Sequence, residues 1–415
     1  MATRGATQQS SAPYNRRIVL DVIRRAGPIS RKAIVDAVSL SPQTVANITQ
    51  ELESIGLIVS QRARPGSRGQ PPIAFELNPR GGGSVGISLE PGRIVGAYVN
   101  LVGEITRRSD LAVDTRDSKL ALQGMVSLVE DLLPRRGGSE RLWGIGIALP
   151  GPLAPTDISF VGPTALEGWT DLSVFDELRV ATQIQVFYSL DSVAGALGEC
   201  LFGVARALDD FFYIHFAVGL GGTLVTGRSA YRGAGGNASE FGHIPIVPGG
   251  KSCYCGNSGC LEQYLSLHSL AQSLGVDVSQ LTDELIRSCR DAQDPRFDAW
   301  CREAALRLRD AVRVLENLLD PAAIIVGGSA PAPLVDRLLE LAQPLAPSLR
   351  SGAIATASRI LRAERRADSL ILGAAVLPIY EILAPRLQDL QQARRDRPNV
   401  TAVLGQRDWT KSARL

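Results

Sequence analysis

The chain has 415 residues, 45 % hydrophobic and 21 % charged, which is ordinary for a globular protein with room for two or three domains. No run of about eighteen apolar residues occurs, so no membrane span is expected. The net charge of +2 hides an asymmetry: residues 1–80 hold eleven Arg or Lys against five Asp or Glu, a basic module on a mildly acidic remainder, and this points to nucleic acid at that end.

In chain order, residues 1–13 read as a disordered leader. They lack the apolar core of a signal peptide, so a cytoplasmic location is expected. A helix is predicted over 15–25, with Ile18, Val19, Val22 and Ile23 on one side and Gly27-Pro28 ending it. Ser30 caps a second helix over 31–38. Ser41-Pro42, a cap followed by proline at the first helical position, opens a third carrying Val45, Ile48, Leu52 and Ile55 as an apolar stripe. Two short helices, a tight turn and a longer helix make a helix-turn-helix. A strand over 57–60, a basic stretch over 61–72 and a return strand over 73–77 add a wing. Gln43, Thr44 and Asn47, on the exposed face of the third helix, offer amide and hydroxyl groups suited to base edges. Arg62, Arg64 and Arg68 suit phosphates or a minor groove. A small helical protein-interaction module is the competing reading. The expectation is a domain over 14–80 that binds double-stranded DNA as a homodimer or homotetramer, because a symmetric oligomer presents two recognition helices in place of one.

A linker over 78–84 leads to strands over 85–89, 93–101 and 104–113, a helix to about residue 134 and a strand over 142–149. A strand over 185–190 then runs through Asp191 into a helix over 192–200. Asp191 suits either ligand hydroxyls or a helix N-cap. This first lobe spans 84–190. The second, 191–368, opens with a strand over 211–217 and the glycine loop of 219–223, and helices fill most of 261–320. A strand over 322–326 follows. A helix over 369–384 packs back on the first lobe, and 385–415 is a polar tail.

Between those segments lies the densest chemistry. Cys253, Cys255 and Cys260 fall within eight residues, and His243 lies ten residues upstream of the first. Three thiolates and an imidazole are a complete tetrahedral set for zinc, with no position left open for catalysis. Disulfides are the rival reading. Glu240 and Glu262 flank the stretch, and acidic groups beside an imidazole suit a polyhydroxylated ligand.

The pattern Glu-x-Gly-His followed by Cys-x-Cys-Gly-x-x-Gly-Cys-x-Glu resembles the signature of the ROK family of sugar kinases and sugar-responsive repressors, and the likeness extends over about residues 14–385. The resemblance implies an α/β two-lobed ribonuclease-H-like/actin-like (sugar kinase) fold behind a winged helix-turn-helix. It implies zinc on His243, Cys253, Cys255 and Cys260. It also implies an effector held by Glu240, His243 and Glu262, with Asp191 at the position of the kinases' general base. The kinase pattern itself is broken. Ser88-Leu-Glu90-Pro91-Gly92-Arg93 stands where the family's kinases carry Asp-x-Gly-Gly-Thr; Glu90 repels a triphosphate and Pro91 has no N–H to donate. Two amides of the sugar site are replaced by Ala165 and Leu190. The expectation is a non-enzymatic regulator, a repressor answering to a carbohydrate-like effector. The alternative is an active sugar kinase fused to a DNA-binding domain.

Overall fold

A computed structural model describes residues 12–62, 73–90, 92–133, 141–151, 172–349, 359–364 and 368–383. The chain divides between Asn78 and Pro79 into two compact units. The N-terminal unit holds α1 (Ala12–Ala26), β1 (Ile29–Ser30), α2 (Arg31–Val38), α3 (Pro42–Ser54), β2 (Ile58–Arg62) and β3 (Ile73–Leu77). Ser30 Oγ accepts the Ala33 N–H at 3.3 Å and Ser41 Oγ the Thr44 N–H at 3.1 Å, so both serine caps form. Ser39, at φ 53°, turns the chain between α2 and α3. Ile18, Ile23, Ile34, Val38, Val45 and Leu52 of the helices and Phe75 of β3 are buried, and the three strands form an antiparallel sheet of order β1-β3-β2. Helix α1 starts inside the segment read as a leader, whose first eleven residues lie outside the described residues.

The larger unit opens with β4 (Gly83–Glu90), β5 (Arg93–Asn100) and β6 (Ile105–Ala112), followed by α4 (Ser118–Leu132), β7 (Leu142–Leu149), α5 (Ser173–Thr182), β8 (Val186–Leu190) and α6 (Asp191–Phe202). The sheet order is β6-β5-β4-β7-β8, antiparallel across the first three strands and parallel across the last three. The linker is shorter than the sequence suggests. Gly83 already belongs to β4 and donates to Arg141 O at 2.9 Å, while Gly82 O accepts the Leu101 N–H, so sheet pairing claims these glycines.

The second lobe repeats this order. Its elements are β9 (Phe211–Phe216), β10 (Leu220–Thr226), β11 (Ser229–Ala230), α7 (Leu267–Leu274), α8 (Asp283–Asp291), α9 (Pro295–Leu319), β12 (Ile324–Gly327), α10 (Ala332–Leu341) and β13 (Ile360–Arg362), after which α11 (Ser369–Leu383) returns to the first sheet. The sheet runs β11-β10-β9-β12-β13 with the same pattern of directions. Two lobes of like topology are therefore built from unlike sequence. Phe297, Leu308, Val312 and Leu334 pack with Ile214, Phe216 and Ile324 to form the larger core.

Helices α6 and α11 join the lobes. A side chain at Gly146 of β7 would lie 1.9 Å from Ala374 O, and one at Gly373 would lie 2.3 Å from Ala194 O. Glycine at both positions lets α11 press onto the first sheet and onto α6. The start of α6 is thus fixed where the two sheets meet, and Asp191 is its first residue. No helix among the described residues is long and apolar enough to cross a membrane.

Candidate functional site

The thiol stretch folds as a compact knuckle. Val247 N–H donates to Gly259 O, Gly259 N–H to Lys251 O, Cys253 N–H to Asn257 O and Gly256 N–H to Cys253 O. Gly259 has φ +79°, and a side chain there would lie 1.7 Å from Val247 O, so only glycine closes the loop. The turn places one ligand atom each from His243, Cys253, Cys255 and Cys260 within 4.8 Å of one another. Cys255 and Cys260 sulfurs are 3.6 Å apart, and Cys253 Sγ is 3.6 Å from His243 Nδ1. A disulfide needs about 2.05 Å. A tetrahedron with metal–sulfur and metal–nitrogen bonds of about 2.3 and 2.0 Å has edges of roughly 3.5–3.8 Å. The donor set therefore fits a metal ion, and all six cysteines are free. Burial pushes the Cys253 thiol up, and burial beside its two neighbours pushes Cys260 to about 12. Cys255 sits below the usual thiol range; burial raises it, but hydrogen bonds from the Asn257 N–H and the other thiols outweigh that. Thiols packed this closely ionise together only around a cation.

His243 also faces a cleft of about 670 Å³ between the two lobes. Asp191, Glu240 and Glu262 line the same cleft, so the four residues expected at the effector site converge. Asp191 Oδ1 accepts the Ser192 N–H at 2.6 Å, and its Oδ2 points toward His215. Leu190 precedes the helix and makes no side-chain cap bond, so one oxygen of Asp191 serves the first turn while the other faces His215. Glu240 is exposed as a residue, yet burial of its carboxyl in the cleft raises it above the usual range, an effect that the nearby His243 opposes. Glu262 is 5 % exposed and anchored at both oxygens: Tyr254 OH donates to Oε1 at 2.6 Å and Leu220 N–H to Oε2 at 2.8 Å. Tyr254 stands between two of the thiols, so the knuckle is tied through Glu262 to the start of β10.

Glu90 and Arg93 also line the cleft. Burial raises the Glu90 carboxyl, with Arg93 opposing. Gly92 N–H donates to Thr115 Oγ1 at 2.9 Å, Ala217 N–H to Gly219 O and Leu220 N–H to Glu262. Several backbone donors of the hairpin and the glycine loop are thus already engaged. Pro91 and the stretch containing Ala165 lie outside the described residues.

On α3, Gln43 and Asn47 are exposed and joined by a hydrogen bond between their side-chain amides, Gln43 Nε2 donating to Asn47 Oδ1 at 2.9 Å. Thr44 is half-buried, with its hydroxyl 2.8 Å from Ser41 Oγ, so it also serves the helix cap. Arg62 ends β2, while Arg64 and Arg68 lie outside the described residues.

Sequence reasoning misses His215. It lines the cleft from near the C-terminal end of β9, 2 % exposed, with Nε2 3.5 Å from Asp191 Oδ2. Within Phe-Phe-Tyr-Ile-His-Phe it reads as a core residue. The glycine loop following the strand is the one hint that this strand ends at a site.

A winged helix-turn-helix on one unit, and a two-lobed sugar-kinase-like body with an acidic cleft on the other, define a DNA-binding regulator built on an enzyme fold. Comparisons with known proteins agree. The ROK family pattern matches residues 85–380, and a winged helix-turn-helix DNA-binding pattern matches residues 13–59. The xylose repressor of Bacillus subtilis (strain 168) is 28 % identical over 325 residues, covering 78 % of this chain and 84 % of the repressor. The glucokinase of Halalkalibacterium halodurans is 28 % identical over 264 residues, 59 % of this chain and 79 % of the kinase. The crystal structure of a ROK family transcriptional regulator, a homolog of the Escherichia coli Mlc protein, superposes with a TM-score of 0.68 at 25 % identity, covering 93 % of this chain and 100 % of that one. The chain belongs to the ROK family, as a DNA-binding transcriptional regulator with an N-terminal winged helix-turn-helix.

Proposed function

We propose that the chain is a cytoplasmic repressor that reads DNA with Gln43, Thr44 and Asn47 and answers to a carbohydrate-like effector held by Asp191, Glu240, His243 and Glu262. Arg62, Arg64 and Arg68 of the wing take phosphates or a minor groove. The chain works as a homodimer or homotetramer on a two-fold site. The parts are a DNA-binding domain over 14–80, lobes over 84–190 and 191–368, and a helix over 369–384 completing the first lobe.

One observation carries this reading. His243 holds Nδ1 3.6 Å from Cys253 Sγ while the residue also lines the cleft, which supports one residue serving both the metal centre and the ligand site. The metal is zinc, held structurally by His243, Cys253, Cys255 and Cys260, because four protein ligands close its coordination sphere. Metal-bound imidazoles are oriented by what their second nitrogen meets, and this gives effector and metal loop a common element.

Phosphate transfer is not part of the proposed activity. Glu90 and Pro91 oppose a triphosphate, and the engaged N–H groups of Gly92 and Leu220 do not offer a cradle. Asp191 alone supplies a base with nothing to phosphorylate from.

Selection from a pool of random DNA duplexes tests the reading. Wild-type chain should enrich a two-fold related sequence, and Gln43→Ala and Asn47→Ala should each relax it. No enrichment, or ATP consumption with a sugar that Asp191→Asn abolishes, would defeat it.

A further inference from the structure

His215 has no part in anything assigned above. Its register partners on the neighbouring strands are Gly221 and Gly327, neither of which has a side chain to cover it. A side chain at 221 would come within 3.2 Å of Ser192 and 3.5 Å of His215, filling the space above them. The imidazole is 3 % exposed, and neither ring nitrogen has a hydrogen-bond partner among the described residues. Asp191 Oδ2, at 3.5 Å, is at the limit of hydrogen bonding. A buried ring with a donor and an acceptor both unmatched is rare, and here it faces a cleft. The group that completes it must both donate and accept beside a carboxylate. A ligand hydroxyl does both.

Charge narrows the ligand further. Glu90, Asp191, Glu240, Glu262 and Asp277 all line the cleft. Its arginine, Arg93, is held by Asp110 with Nε 2.9 and 3.1 Å from the two carboxylate oxygens. A phosphate ester would bring about −1.5 to −2 charges into this surround.

We infer that the cleft takes an unphosphorylated sugar or polyol, one hydroxyl of which bridges His215 and Asp191, and that the surrounding carboxylates exclude its phosphate esters. This rests on the cleft being the effector site. His215 is then a specificity-determining residue.

The test is calorimetry and thermal shift on the full chain with xylose, glucose, mannose and maltose, set beside glucose 6-phosphate and mannose 6-phosphate. At least one neutral compound should bind, and the phosphate esters should bind about 100-fold more weakly than the neutral ligand. His215→Leu should weaken the neutral ligand by about tenfold or more. The same variant without ligand should melt at or above the wild-type temperature, because an unpaired buried ring has been removed. A residue that merely held the fold would not behave so. His215→Asn should restore much of the binding, and together with the ester comparison on wild type it carries the test should His215→Leu not fold. If a sugar binds and Glu240→Ala abolishes it, but His215→Leu and His215→Asn leave affinity unchanged or the esters bind equally well, this inference fails while the effector site stands. If none of these compounds binds, both fail.

Discussion

Removing one hydroxyl, with Tyr254→Phe, tests how the thiol knuckle is joined to the ligand cleft. Tyr254 OH donates to Glu262 Oε1 at 2.6 Å, the length of a charge-assisted O–H···O bond, and Glu262 is 5 % exposed. Hydrogen bonds to charged groups contribute about 1.5–3 kcal/mol, and a carboxylate oxygen left unpaired in a buried site incurs the upper part of that range. The second oxygen keeps its bond from the Leu220 N–H, so the loss stays within one bond. At about 2–4 °C per kcal/mol for a domain of this order, the melting temperature should fall by roughly 3–12 °C. Urea unfolding followed by fluorescence gives the free energy directly. A double-mutant cycle with Glu262→Gln should show a coupling of at least about 1 kcal/mol, because both changes act on the same bond. Simple additivity of the two substitutions, or a Tyr254→Phe protein as stable as wild type, would refute the linkage.

Elemental analysis of protein purified without added metal should find about one zinc per chain, and chelation should lower the melting temperature; reduced, metal-free thiols in a folded protein would count against the site. Glu90→Gln should stabilise the protein at neutral pH. Burial raises the Glu90 carboxyl in the folded state, so the folded form binds its proton more tightly than the unfolded chain, and stability falls as pH climbs above the ordinary carboxylate range. Thermal melts of the two proteins should converge below about pH 4, where the group is protonated in both states. Replacing Gln43 or Asn47 by Ala should cost about 1–3 kcal/mol of base discrimination for each bidentate amide–base pairing it abolishes, with the salt dependence of binding unchanged, because neither residue carries charge.

Local chemistry decides which elements can be read from the sequence. Helices α2 and α3 are legible to the residue at their starts because Ser30, Ser41 and Pro42 mark them, and β7 and β3 because their apolar runs are bounded on both sides. Helices α5 and α10 are not: their caps, Leu172 and Pro331, make no side-chain hydrogen bond and so leave no signal. Strands β1 and β13 have two and three residues, too few for any period. In the site, the candidate metal ligands are legible because one tight knuckle draws all four from a single short stretch of chain. The family resemblance brings Asp191 together with Glu240, His243 and Glu262. Two features depend on tertiary register instead: His215 facing a glycine on either side, and Glu262 held at both oxygens.

The central claim is that a small molecule in the cleft sets the affinity of the winged helix for DNA. Fluorescence anisotropy of the selected duplex, titrated with full chain in the presence and absence of each sugar that stabilises it thermally, measures this directly. The ligand should change DNA affinity by about 5–150-fold, DNA should change ligand affinity by the same factor, and Glu240→Ala should lose the response while binding DNA as wild type does. A sugar that saturates the cleft and leaves DNA affinity unchanged would contradict the claim.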